Sequence, residues 1–232
     1  MIRTHDRFYL NEKNLVVKDS FIAVANKISD SFSGSVADVG CATGAFPAYL
    51  KQRFQSSEVV GIEYLEELLS KAEKDFPNVR FIRGDVTVKS SVEQKFDVIT
   101  MLGVLGLFDN FEKVLTNVLS WLKPKGKLVL HSMVSEFDVD VFIKYSSSSK
   151  QYISDNLESG WNIISERSLQ LVSEKNAARL VSCEKFVITV DLDKQDDDVM
   201  RSWTEINHSN ERDIFNALHV RQPQKIVVIE KL

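Results

Sequence analysis

Between residues 36 and 44 the chain reads Val36-Ala37-Asp38-Val39-Gly40-Cys41-Ala42-Thr43-Gly44, an apolar run that stops at a glycine and passes into a helical pattern. This stretch constrains the fold more than any other. The apolar residues before Gly40 suit a buried strand, and the glycines let the backbone turn sharply and approach a ligand without Cβ interference. One strand-and-helix unit downstream, Val59-Val60-Gly61-Ile62-Glu63 repeats the apolar strand and ends it in a carboxylate, where a nucleoside ribose needs an acceptor.

Spacing alone leaves the ligand open, because dinucleotide-binding and S-adenosylmethionine-binding folds both place a glycine-rich turn after the first strand and an acid after the second. A dinucleotide fingerprint laid on Gly40 puts Ala42 at its second glycine, where a pyrophosphate must press on the backbone. That methyl weakens the dinucleotide reading. The same residues resemble the class I S-adenosylmethionine-dependent methyltransferase signature, acid-x-G-x-G/A-x-G, with Asp38, Gly40, Ala42 and Gly44 at its four places. Residues 61–72 are similar to the second strand and following helix of that family. Asp85, in Arg83-Gly84-Asp85-Val86 after the short apolar run Val79-Arg80-Phe81-Ile82, matches its third acid. Phe96-Asp97-Val98-Ile99-Thr100-Met101 is similar to the fourth strand, and Leu122-Lys123-Pro124-Lys125-Gly126 to the turn before the fifth. The resemblance covers roughly residues 33 to 134.

The resemblance implies the cofactor S-adenosyl-L-methionine and a set of residues for it. Backbone around Gly40, Ala42 and Gly44 would line the methionine and ribose portion, and Asp38 would support the turn or the amino group. Glu63 would take the ribose hydroxyls, Tyr64 flank the adenine, Asp85 accept the adenine amino hydrogen and Val86 offer a backbone N–H. Met101 and Leu102 would run beside the methionine. It also implies a Rossmann-like α/β fold, doubly wound around a mostly parallel sheet, with an antiparallel strand-rich C-terminal extension.

The 232 residues, 44% of them hydrophobic, suffice for one sizeable core. We expect a single domain: an N-terminal helical segment (1–32), a cofactor-binding core (33–134), a variable cap (135–182) and a strand-rich tail (183–232). Phe21, Val24, Ala25, Ile28 and Phe32 fall at helical spacing before Gly34, so a helix is expected there. Further helices are expected over 46–54, 65–75 and 111–122, the second carrying a Glu67–Lys71 pair at i,i+4. Residues 169–180 read as a helix or as a hairpin around Ser173-Glu174-Lys175-Asn176. Strand patterns follow at 183–191, 201–206, 213–215 and 225–229. The serine run 146–149 reads as a solvated loop or a cap over substrate.

A formal charge of −4 argues against a broad electrostatic footprint for nucleic acid, and the N-terminus lacks an apolar leader. Cys41 and Cys183 have no metal-ligand spacing, so no metal is expected, and a reducing cytoplasm is the expected setting. Residues 101–108, Met101 to Phe108, lack the N/D-P-P-Y/F motif that methyltransferases acting on planar amino groups often carry. That favours a small-molecule acceptor, such as a hydroxyl of a sugar or similar metabolite. A tRNA or protein methyltransferase, and a non-catalytic cofactor-binding partner protein, are the alternatives. No residue declares itself a base: His131, near the end of the expected fifth strand, and Tyr9 are the candidates, each set against plain packing. His208 and His219 suit turns, Asp109 and Asn110 suit a helix cap, and Trp121, Trp161 and Trp203 suit core or pocket positions.

Overall fold

A computed structural model of the chain describes Tyr9, Leu10 and residues 15–146 and 157–232. His5 to Phe8 and residues 147–149 of the serine run lie outside the described residues. Helices are α1 (Asp19–Ala25), α2 (Ala45–Arg53), α3 (Glu66–Asp75), α4 (Phe111–Ser120) and α5 (Glu166–Lys175). The main strands are β1 (Ser35–Val39), β2 (Glu58–Glu63), β3 (Arg80–Arg83), β4 (Phe96–Leu102) and β5 (Leu122–Ser135). The short β6 (Lys144–Tyr145), β7 (Glu158–Ser159) and β8 (Ile164–Ser165) precede β9 (Ala178–Lys185), β10 (Trp203–Ile206), β11 (Arg212–Phe215) and β12 (Gln224–Lys231).

The sheet runs β3-β2-β1-β4-β5-β12-β9, parallel from β3 to β5 and antiparallel at β12 and β9, with β8 added beside the end of β5. All five residues of β1 are buried, as a central parallel strand covered on both faces requires. Alternation divides the core in two. Ala37, Val39, Leu128, Leu130, Val227 and Ile229 face α4 and α5. Val36, Val129, Ile226 and Val228 face α1, α2 and α3 on the other side. Strand order reverses between β1 and β4, and a doubly wound sheet opens a crevice at the carboxyl ends of those strands.

Several expectations are corrected. The first helix ends at Ala25: the Asn26 N–H still bonds four residues back to the Ile22 carbonyl, but the N–H groups of Lys27 and Ile28 turn to Val24 and Ala25, three residues back. Ile28 and Phe32 nevertheless pack from the turns that follow. Lys71 pairs with Asp75 at 2.6 Å, one turn C-terminal, instead of with Glu67. Residues 169–180 are neither helix nor hairpin throughout: α5 ends at Lys175 and β9 starts at Ala178. The expected strand at 183–191 is displaced, since β9 stops at Lys185 and Phe186 and Ile188 turn inward outside any ladder. Asn110 caps α4, its side chain accepting from the Lys113 N–H at 3.1 Å. Asp109 does not cap; it accepts from Lys144 Nζ (2.7 Å) and Asn162 Nδ2 (3.2 Å). The tail strands at 203–206, 212–215 and 224–231 fall where expected, with β10 and β11 forming their own two-stranded sheet. No helix among the described residues is long and apolar enough to cross a membrane.

Candidate active site

The turn after β1 is shaped by contacts that leave no room for ordinary side chains. Gly40 stands at φ 71°, and a Cβ there would come within 2.4 Å of Val104 Cγ2. Its N–H and that of Cys41 both donate to the Ile62 carbonyl, at 2.8 and 3.1 Å, which ties the turn to β2. Ala42 follows in the left-handed region at φ 48° and donates its N–H to Glu63 Oε2 at 3.0 Å. Glu63 Oε1 accepts from the N–H groups of Tyr64 and Leu65, each at 2.9 Å. Three backbone donors therefore hold this carboxylate at the end of β2, where it borders a cavity of about 420 Å³.

Tyr64, Asp85, Val86, Gly40, Ala42 and Leu102 line the same cavity. Tyr64 is half-exposed, with the Arg83 guanidinium 5.6 Å from its ring centroid. Asp85 Oδ1 accepts from the Thr87 N–H (2.8 Å) and hydroxyl (2.7 Å), an Asx turn that fixes the carboxylate at the cavity wall. Asp38 is buried and borders an adjoining groove of about 180 Å³ with Cys41 and Thr43. Its Oδ1 accepts from the Thr100 hydroxyl at 2.8 Å. Burial raises the Asp38 pKa to about 8, with the Thr100 hydrogen bond opposing and the charge of Glu63 adding to the rise.

Two expected site residues sit elsewhere. Met101 is 1% exposed and points into the core with α4 and α5, because alternation along β4 turns its neighbour Leu102 toward the ligand side. Gly44 is the N-cap of α2 at φ 84°, packed so closely on Phe81 that an added Cβ would lie 2.7 Å from Cζ; it shapes the turn without lining the cavity.

A larger chamber of about 830 Å³ adjoins the cavity. Tyr9 and Trp161 belong to both walls, and His131 borders the chamber and the groove beside Asp38. His131 packs edge-on against Phe186, ring centroids 4.7 Å apart, and its Nε2 is enclosed without a hydrogen-bond partner. Burial lowers its pKa to about 4, against a smaller opposing effect of the Gln224 side chain, so the imidazole is neutral near pH 7. His208 and His219 are exposed, the latter in a turn at φ 57°. Trp121 donates Nε1–H to the Lys89 carbonyl (2.8 Å) and Trp203 to Glu205 Oε1 (2.8 Å); both are core residues. Cys41 and Cys183 are free, and no group of three or more His, Cys, Asp or Glu among the described residues is placed to hold a metal ion.

Gly103 is a site residue that the sequence reading did not single out. It stands at φ 68° just past β4, lines the cavity and the groove, and a Cβ placed there would meet nothing within 4 Å. Open space above this backbone, beside a carboxylate fixed by three N–H donors, fits an adenosyl ligand laid across the strand ends. The only sequence signal is a glycine directly after a strand.

Comparison with known proteins places the chain in a family. The profile described as methyltransferase domain matches residues 32–202. This chain thus belongs to the class I S-adenosylmethionine-dependent methyltransferase family. It is similar to the malonyl-[acyl-carrier protein] O-methyltransferase of Halalkalibacterium halodurans, 30% identical over 120 residues that make up 49% of this chain and 43% of the relative. It is also similar to the trans-aconitate 2-methyltransferase of Deinococcus radiodurans, 32% identical over 96 residues, 41% of this chain and 36% of the relative. These matches span less than half the length of either relative. Among solved structures, the S-adenosylmethionine-bound amino pentose methyltransferase of Micromonospora echinaspora superposes with a TM-score of 0.58 at 14% identity, covering 100% of this chain and 98% of that one. TehB of Haemophilus influenzae gives a TM-score of 0.59 at 13% identity, covering 99% of this chain and 68% of its own.

Proposed function

We propose that this chain transfers the methyl group of S-adenosylmethionine to a hydroxyl of a small-molecule acceptor. The observation that carries the reading is the pairing of a cavity, walled by Glu63, Tyr64, Asp85 and Gly103, with a second chamber beyond Tyr9 and Trp161. The cofactor, when bound, supplies an electrophilic methyl on a sulfonium. The work left to the chain is positioning and exclusion of water. Glu63, already oriented, accepts the ribose hydroxyls; Asp85 and the Val86 N–H recognise the adenine edge; Tyr64 covers its face. Asp38 faces the amino group. Leu102 and Gly103 form the floor between cofactor and acceptor. His131, neutral and bordering the chamber, is the candidate to accept the hydroxyl proton, with Tyr9 the candidate to orient the acceptor.

A small-molecule acceptor accords with the name of one curated relative, the trans-aconitate 2-methyltransferase. Calorimetric titration with S-adenosylmethionine, S-adenosylhomocysteine and NAD tests the cofactor assignment. The two adenosyl ligands are expected to bind and NAD to fail. Glu63→Ala, which removes two charge-assisted hydrogen bonds to the ribose, is expected to weaken binding by about a hundredfold. Unchanged affinity in that variant would refute the ribose site.

A further inference from the structure

The chamber beyond Trp161 is about twice the volume of the cofactor cavity, about 830 against 420 Å³, and its walls differ in character. Phe186, Ile188, Val190, Leu192 and Ile214 form one continuous apolar side. Val16 and Val17 continue it to the mouth, where they and Val190 are about half exposed or more (62%, 46% and 50%). Exposed β-branched residues grouped at an opening are unusual on a free surface and suit an apolar visitor.

Among the described residues, the charged groups of the chamber are two cations, Lys18 and Arg201, and two anions, Asp19 and Asp198, and each is occupied within the protein. Asp19 Oδ2 accepts the N–H and hydroxyl of Thr189, at 2.6 and 2.8 Å. Asp198 Oδ1 accepts the Met200 N–H at 3.0 Å. Arg201 pairs with Asp197. The Lys18 ammonium lies over the rings of Tyr9 and Phe21, 5.6 and 5.9 Å from their centroids. Among the described residues the walls present no paired cationic clamp for a carboxylate, and the surface they expose to the chamber is mainly apolar. One stretch of the wall is a linked polar group: Ser202 and Gln224 are joined through Gln222 behind them (Gln222 Nε2 to Ser202 Oγ, 3.0 Å; Gln224 Nε2 to Gln222 Oε1, 2.7 Å), and Gln224 reaches His131.

We propose that the chamber takes an uncharged acceptor with an apolar body, entering past Val16, Val17 and Val190 and presenting one polar group to the His131–Gln224 end. The proposal rests on the methyltransferase reading for the identity of the neighbouring cavity. It narrows the acceptor from sugar-like metabolites to neutral apolar alcohols or phenols.

The test is a titration of the S-adenosylhomocysteine-loaded protein with N-phenyl-1-naphthylamine, an uncharged apolar fluorophore, beside its anionic relative 1-anilinonaphthalene-8-sulfonate. Saturable binding of the neutral probe is expected, with the anion weaker by about tenfold or more. Val190→Asp and Val190→Lys, both at a half-exposed position outside the strands, are expected to weaken the neutral probe alike. Tighter binding of the anion, strengthening by the lysine variant, or a neutral-probe signal that neither variant moves would overturn the proposal. Transfer of labelled methyl to 2-naphthol is expected to exceed transfer to methyl glucoside or trans-aconitate; the opposite order would also overturn it. Calorimetry on the same preparation separates the two readings. If S-adenosylhomocysteine fails to bind, the cofactor assignment falls, and the probe titration of the ligand-free protein still judges the chamber.

Discussion

Ala42 holds a left-handed conformation that costs an L-residue with a Cβ roughly 1–2 kcal/mol, and it does so to aim its N–H at Glu63. Ala42→Gly is therefore expected to raise the melting temperature by about 2–4 °C per kcal/mol recovered while leaving the Glu63 contact intact, as differential scanning calorimetry would read. Asp38 gives a prediction with a sign fixed by its environment. Its folded pKa of about 8 lies above the ordinary 3.8, so its contribution to stability is complete below about pH 4 and is lost as the pH rises toward 8, where the unfolded chain has already released the proton. Asp38→Asn is expected to match the wild type near pH 4 and to melt several degrees higher near pH 9. An approaching ammonium reverses the balance by favouring the carboxylate. Cofactor binding near pH 7 is accordingly expected to release close to one proton, measured as a buffer-dependent heat of binding, and none in Asp38→Asn or above about pH 9.5.

In the segment after β5, Asn162 joins several stretches of the chain at one point. Asn162 is fully buried and uses its backbone and side chain together: its N–H donates to the Gly106 carbonyl (2.7 Å), its Oδ1 accepts from the Ile143 N–H (2.8 Å) and its Nδ2 donates to Asp109 (3.2 Å). Asp109 in turn binds Lys144, whose hydrogen bond holds the carboxyl below its ordinary range. Trp161, adjacent in sequence, is thereby fixed between the two cavities. Asn162→Ala removes both side-chain bonds, from the half-buried Ile143 N–H and to the exposed Asp109, and is expected to cost about 1–2 kcal/mol. Hydrogen exchange at the Val141, Ile143 and Ile163 amides should accelerate first, ahead of the β1–β4 ladder. Sequence patterns foretell this device poorly. A lone asparagine in a polar loop has no period, whereas Glu63 was legible because an apolar strand ended on it.

On the scale of the whole molecule, the parallel half was the readable half. Strands β1 to β5 are local runs separated by helices, and their order follows from a connection rule, so apolar periodicity and turn residues suffice. Parity within a strand is harder: Met101 and Leu102 differ only in which face they take, and that is set by neighbours distant in sequence. The same holds for Phe186 and Ile188, whose alternation reads as a strand although the ladder with β12 ends at Lys185 and only one further bond follows, from the Phe186 N–H to the Gln224 carbonyl. The balanced pairs Lys18, Asp19, Asp198 and Arg201 around the chamber match the net charge of −4 in offering no cationic track for a phosphate backbone. Bulk tRNA is expected to show no mobility shift with this protein at physiological salt.

Division of labour along the chain has a consequence for descent. Apart from Tyr9 and Trp161, the wall residues of the cavity beside Glu63 come from residues 40–108, while the apolar side of the chamber comes from residues 16–17 and 186–214. Mutations can accumulate in the second set without touching a single residue of the first. The two sets can drift at different rates, so lineages sharing this cradle are free to diverge in what they modify, and swapping residues 186–214 between homologues becomes a direct way to transplant substrate preference.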